Sequence, residues 1–205
     1  MLNFFDENID YKNRVLFTSN ENKSITYGDW YAYSKGLKNV IPAKRRVLAA
    51  IICHNTVGSA LSYLCCLQNR IVPLLIDHDM DMELRQRLLS IYKPNYIFKP
   101  VDDEVEPLYT LNGYGVYWGS DINHNIHPDL ALLLTTSGST GSPKLVRQSY
   151  TNIQANAESI AQYLKITAQD HPISSLPMHY TFGLSVINSH VLCGACECLT
   201  EATVF

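Results

Sequence analysis

The residues with the most chemistry to offer are Thr135-Thr-Ser-Gly-Ser-Thr-Gly-Ser-Pro-Lys144, a run of hydroxyls and glycines directly after the apolar stretch Leu130 to Thr135. Gly138 and Gly141 admit positive φ and let a ligand approach the main chain, so that consecutive N–H groups can converge on an anion. Ser137, Ser139, Thr140 and Ser142 add hydroxyl donors, and Lys144 adds a full positive charge. This set suits a polyphosphate, because charge-assisted hydrogen bonds contribute about 1.5–3 kcal/mol each. A flexible surface linker has a similar Gly/Ser composition, but Pro143-Lys144 argues against one. A Walker A loop would need lysine directly after its second glycine. Here Ser-Pro separates Gly141 from Lys144 and leucine follows the lysine, so a standard P-loop is disfavoured.

Two other groups could carry chemistry. Cys193, Cys196 and Cys198 have C-x-x-C-x-C spacing, which could hold a soft metal, but a zinc site would want a fourth ligand and usually a second pair at a distance. All six cysteines, including Cys53, Cys65 and Cys66, sit in apolar segments and read as small buried hydrophobes. His124 and His127, in a turn-rich stretch, read as solvated side chains.

Alternating strand and helix periods must position the loop. Arg46 to His54, Ile71 to Ile76, Tyr96 to Lys99 and Leu130 to Thr135 are apolar runs of strand length. Between them, Thr56 to Asn69 has a helical rhythm. A second helix, capped by Asp79 or Asp81, carries Leu84, Leu88 and Ile91 until Pro94 closes it. Upstream, Thr26-x-x-Asp29 reads as a capping box before a helix with Trp30, Tyr33, Leu37 and Ile41 on one face. Thr151 to Leu164 is amphipathic through Ile153, Ala157, Ile160 and Leu164. Strands buried on both faces and joined by helical crossovers imply an α/β fold, a mostly parallel sheet with helices on both faces. In α/β sheets ligands bind at the carboxyl ends of the strands, where the Ser/Thr/Gly loop begins. The segment 99–129 is rich in Pro, Gly, Asn and Asp, with a hairpin expected around Asn112-Gly113.

Composition narrows the functional classes. The 205 residues are 46% hydrophobic and 17% charged with a net charge of −3, which excludes disorder and leaves no basic footprint for nucleic acid. No apolar run approaches the ~18 residues of a membrane-spanning helix, and the N-terminus lacks the pattern of a secretory signal. The expected address is cytoplasmic, with neither a nucleic-acid nor a membrane partner.

The stretch Thr136 to Lys144 resembles the phosphate-loop signature of the adenylate-forming superfamily, which comprises acyl- and aryl-CoA synthetases, nonribosomal peptide adenylation domains and luciferases. The resemblance continues through Val146 and Asn152 and resumes in Leu176-Pro-Met-His-Tyr-Thr-Phe-Gly-Leu184. The opening from Ile25-Thr-Tyr through Asn69 to Pro73 is also similar, so the likeness covers the whole chain. It implies activation of a small carboxylic acid by attack on the α-phosphorus of ATP. Pyrophosphate leaves, and the acyl group passes to CoA or to the pantetheine of an acyl carrier protein, a further partner. Thr136, Ser137, Gly138, Ser139, Thr140, Gly141, Ser142 and Lys144 would hold the ATP phosphates, and Thr140 is the local hydroxyl for Mg2+.

In the second motif, the resemblance places His179, Tyr180 and Gly183 at the acyl pocket. Tyr180 stands where many members carry histidine or phenylalanine, and His179 is a competing candidate to face the ligand. The plainer alternative is that both fill the core beside Phe182. Gly183 would open a helix running from Leu184 to Cys193.

Two departures, Leu145 in place of glycine after the lysine and Tyr150 in place of histidine, suggest a divergent subfamily. The resemblance further implies that residues 1–205 are a partial N-terminal AMP-binding domain, an N-terminal fragment. The adenine and ribose contacts and the catalytic lysine would lie beyond it, so no catalytic residue is expected within it and the isolated chain is expected to be inactive. The alternatives are a non-catalytic nucleotide- or acyl-binding module, or one that docks a carrier protein, and a self-associating scaffold.

Overall fold

The computed structural model describes residues 11–19, 24–42, 45–102, 104–135 and 144–201. Its main sheet has seven strands in the order β6-β7-β5-β3-β4-β8-β9. The centre is parallel: β3 (Leu48–Cys53) lies between β4 (Val72–Asp77) and β5 (Tyr96–Pro100), and β8 (Leu130–Thr135) pairs with β4. Both flanks are antiparallel. On one side lie β6 (Tyr109–Leu111) and β7 (Tyr114–Trp118), and on the other β9 (Leu145–Ser149). The β6–β7 turn is Asn112-Gly113, both at positive φ (45° and 83°), as the expected tight hairpin demands.

β3 shows why the apolar runs are unbroken. All six of its residues are buried, with Ala49, Ile51 and Cys53 entering one core and Leu48, Ala50 and Ile52 the other. The first core is the thicker. It takes in α1 (Tyr27–Val40), α2 (Val57–Gln68), α4 (Tyr150–Leu164) and α5 (Thr181–Leu192). α2 is apolar all round and buried from Val57 to Leu67, so it lies inside the domain. The other face is covered more lightly, by α3 (Met82–Tyr92) through Leu89 and Tyr92 and by the loop residue Ile126. Helices do lie on both faces, but unequally.

The expected caps form. Thr26 and Asp29 make the reciprocal capping box of α1, and of the two aspartates proposed for α3 it is Asp81 that accepts from Glu83 and Leu84; Thr56, not singled out as a cap from the sequence, caps α2. The shared face of α1 buries Trp30, Leu37 and Ile41, with Tyr33 partly covered. Of the α4 stripe, Ile153 and Ala157 are buried and Leu164 is exposed. A second sheet was not anticipated. Its order is β10 (Ile173–Ser174), β11 (Glu197–Leu199), β1 (Val15–Ser19) and β2 (Ser24–Thr26), and it ties the two ends of the chain together through the parallel β1–β11 pair. No helix among the described residues is long and apolar enough to cross a membrane.

Candidate functional site

Parallel register aligns the carboxyl ends of the central strands. Cys53, the last residue of β3, pairs with Asp77, the last of β4, and Leu75 pairs with Leu134, one residue before the end of β8. Thr135 closes β8 with its hydroxyl 3.5 Å from the Leu75 carbonyl. It also pairs across the antiparallel ladder with Leu145, so both roots of the Ser/Thr/Gly loop are clamped by the β8–β9 ladder. Leu145, the departure from glycine, is the half-buried first residue of β9 and packs on the second core. Thr136, Ser137, Gly138, Ser139, Thr140, Gly141 and Ser142 lie outside the described residues. Lys144 is described: it is exposed and stands next to the clamp. The donor chemistry of this loop, five hydroxyls and one ammonium between positions 136 and 144, fits a polyphosphate.

The other departure, Tyr150, anchors β9 and α4 to the strands beside them. Its ring lies 5.8 Å from the Arg46 guanidinium carbon and 5.1 Å from that of Arg70. Arg46 in turn donates to the carbonyls of His127, Pro128 and Leu130. A histidine carrying positive charge would repel both arginines, whereas the tyrosine face attracts them.

The second motif splits. His179 is 5% exposed, whereas Tyr180 is 47% exposed and Phe182 is 67% exposed, so the alternative in which all three fill the core is corrected. The His179 Nε2 is buried without a hydrogen-bond partner, 3.5 Å from the Asp77 Oδ2. Burial lowers its pKa, a shift that Asp77 partly opposes, so the neutral imidazole is favoured. Tyr180 is the N-cap of α5 but makes no side-chain cap bond, and the two rings tilt against each other at 4.2 Å.

α5 begins at Thr181, three residues earlier than expected, which puts Gly183 inside its first turn. There a Cβ would overlap the Pro177 carbonyl oxygen, so this glycine is needed for close packing. Gly183→Ala is expected to lower stability by about 1–3 kcal/mol through forced backbone movement, read as a drop in urea midpoint at unchanged slope.

Sequence reasoning passed over Asn55, which positions this motif. Its amide donates to the Leu176 carbonyl at 2.9 Å and accepts from the Met178 N–H at 3.0 Å. It also missed Asp77, His54 and His78. The signal was present as the runs Cys-His-Asn and Asp-His-Asp, each beginning at the last residue of a buried strand. Beyond Lys144, a cleft of about 560 Å³ opens between β9, α4 and α5, lined by Arg147, Asn152, Phe182, Ser185 and Asn188. A larger cleft, of about 890 Å³, lies on the thinly covered face beside Leu48 and Leu130, the amino ends of their strands, away from the loop.

The cysteines do not converge. Cys193, Cys196 and Cys198 belong to no metal-capable group among the described residues, and Cys53, Cys65 and Cys66 are fully buried. Burial pushes the Cys53 thiol up to about 12, which makes it inert as a nucleophile. His124 is partly covered and bonds the Lys93 carbonyl, while His127 is exposed.

The sequence model for AMP-binding enzymes matches residues 5–205. The chain belongs to the AMP-binding enzyme family. The 2-succinylbenzoate–CoA ligase of Staphylococcus epidermidis is 25% identical over 187 residues, covering 89% of this chain and 39% of the ligase. Apo MatB of Rhodopseudomonas palustris shares the fold at TM-score 0.78 and 18% identity, over 98% of this chain and 44% of MatB. The o-succinylbenzoate CoA synthetase MenE of Bacillus subtilis, in complex with ATP and magnesium ion, gives TM-score 0.75 at 20% identity, over 100% of this chain and 59% of MenE. The chain therefore spans about two-fifths of the length of the S. epidermidis ligase, and its α/β architecture is that of the N-terminal part of AMP-binding enzymes.

Proposed function

We propose that the chain is the phosphate-holding, N-terminal part of an ATP-dependent ligase that adenylates a small carboxylic acid and passes the acyl group to a thiol. The observation that carries this reading is the β8–β9 clamp, which sets a loop of hydroxyls, glycines and one lysine at the carboxyl end of a parallel strand. In this reading residues 136 to 142 and Lys144 wrap the β- and γ-phosphates of ATP. Their N–H, O–H and ammonium donors stabilise the charge that develops on departing pyrophosphate. Mg2+ would neutralise phosphate charge when bound, with the Thr140 hydroxyl as its ligand from the loop.

His179, Tyr180 and Gly183 would border the acyl site. His179 is held neutral in the core and Tyr180 offers an exposed ring and hydroxyl at the start of α5. CoA is the acceptor favoured by the similarity to CoA ligases, with carrier-protein pantetheine the other thiol of the same chemistry. The 205 residues on their own would hold phosphates without completing adenylation, since the chain corresponds to only 39% of the S. epidermidis ligase. Acid-dependent exchange of labelled pyrophosphate into ATP, by the ligase that contains this chain, tests the reading.

A further inference from the structure

At the carboxyl ends of β3 and β4, five side chains converge that the adenylating chemistry does not use as a set. His54 Nδ1 lies 2.9 Å from Glu201 Oε1, and the His54 and His78 rings lie 4.0 Å apart between centroids. One donor atom from each of His54, His78 and Glu201 falls within 4.8 Å of the other two. Asp77 and His179 back this trio: Asp77 Oδ1 lies 3.5 Å from His78 Nδ1, and Asp77 Oδ2 lies 3.5 Å from the buried, unpartnered Nε2 of His179. The buried His179 Nε2 makes no hydrogen bond and faces the Asp77 carboxylate, so Asp77 is shared between the His78 and His179 imidazoles behind the trio.

We infer that His54, His78 and Glu201 form a binding site for a divalent transition metal of the zinc class, with Asp77 and His179 as its supporting shell. Donor atoms around a tetrahedral zinc stand about 3.4 Å apart, given bonds of about 2.0–2.1 Å. The trio's donor atoms, all within 4.8 Å of one another, lie close enough for side-chain rotation to reach that spacing. Two imidazoles and one carboxylate select zinc over magnesium, which demands oxygen ligands in an octahedron. The half-exposed Glu201 carboxylate and the partly covered His54 and His78 rings leave an entry path. Three protein ligands also leave a fourth position for water or a ligand carboxylate. A second partner on a metal-binding histidine orients its ring, and His78 has one: its Nδ1 bonds the Cys53 carbonyl at 3.1 Å with Asp77 Oδ1 beside it at 3.5 Å, which leaves Nε2 for the metal. This site is separate from any magnesium carried on ATP and does not depend on the ligase reading.

The test is equilibrium dialysis of the chain against zinc sulfate, with excess magnesium present throughout. The expected result is one zinc per chain, with zinc X-ray absorption showing only nitrogen and oxygen neighbours at about 2.0–2.1 Å. His54→Ala and His78→Ala should each weaken zinc at least about 100-fold, whereas His127→Ala and the triple serine replacement of Cys193, Cys196 and Cys198 should change nothing. The site is refuted by absence of zinc binding, by a sulfur shell near about 2.3 Å, or by stoichiometry and affinity unchanged in both histidine variants. The absorption measurement uses wild-type protein, so a variant that fails to fold does not spare the inference.

Discussion

On the proposed reading, Lys144→Ala is expected to lower kcat/KM for acid-dependent pyrophosphate exchange by about 100-fold, or about 2.7 kcal/mol of transition-state stabilisation, in an adenylating ligase carrying these residues. The size follows from what the ammonium would meet: a phosphate chain gaining negative charge as the α-phosphorus bond to pyrophosphate breaks. If the interaction grows in the transition state, kcat and kcat/KM fall together. If it serves only ATP binding, KM rises alone. Stability should stay within about 0.5 kcal/mol of wild type, since Lys144 is exposed and the neighbouring clamp pairs Thr135 with Leu145 through the backbone. Lys144→Arg keeps the charge and should recover part of the rate. Steady-state exchange kinetics with a urea denaturation of each variant separate these outcomes.

Glu197→Gln stabilises the chain, and the gain depends on pH. Glu197 is 1% exposed on β11, opposite Phe17 in the small sheet. Neither carboxyl oxygen completes a hydrogen bond. Burial pushes its pKa from the ordinary 4.5 up to about 8, with the nearby Ser174 side chain offsetting this only in part. The folded state therefore keeps a proton that the unfolded state releases. Its stabilising contribution is complete below pH 4.5 and is lost progressively as pH rises toward 8. At pH 7 the cost of holding that proton is about 3 kcal/mol. Glutamine mimics the protonated form and does not titrate, so the variant's advantage should be near zero at pH 4.5, about 3 kcal/mol at pH 7, and level above pH 8. Urea unfolding across that range measures it, and an advantage that does not grow with pH contradicts the assignment.

These two residues illustrate different degrees of legibility. Lys144 could be singled out because the chemistry of the loop lies in consecutive residues, and the strand before it is an unbroken apolar run. The same local signals, apolar and helical periods with Thr26 and Asp81 as caps, marked β3, β4, β5, β8 and helices α1 to α3 to within a few residues. Glu197 was hidden inside the C-x-x-C-x-C spacing. Its burial depends on β1, a strand some 180 residues earlier, and pairing of strands so short and so distant leaves almost no local pattern.

The antiparallel β9 was missed for a related reason. Leu145-Val-Arg-Gln-Ser149 alternates poorly, and it is the ladder to β8 that makes it a strand. The start of α5 was misplaced because Tyr180 supplies no capping hydrogen bond, so nothing in the sequence marked Thr181 as the first turn. The grouping of His54, Asp77, His78 and Glu201 around His179 escaped because the first four residues are ordinary alone. Only strand register and the return of the chain at residue 201 bring them together.

The central claim, carboxylate adenylation around the 136–144 loop, is tested most directly by exchange of labelled pyrophosphate into ATP. The enzyme is the ligase proposed to carry these residues, offered a panel of small carboxylic acids one at a time. The account predicts exchange that requires one acid or one narrow class of acids and that drops about 100-fold in Lys144→Ala. A well-folded enzyme that supports exchange with no acid, or exchange indifferent to Lys144, would contradict it.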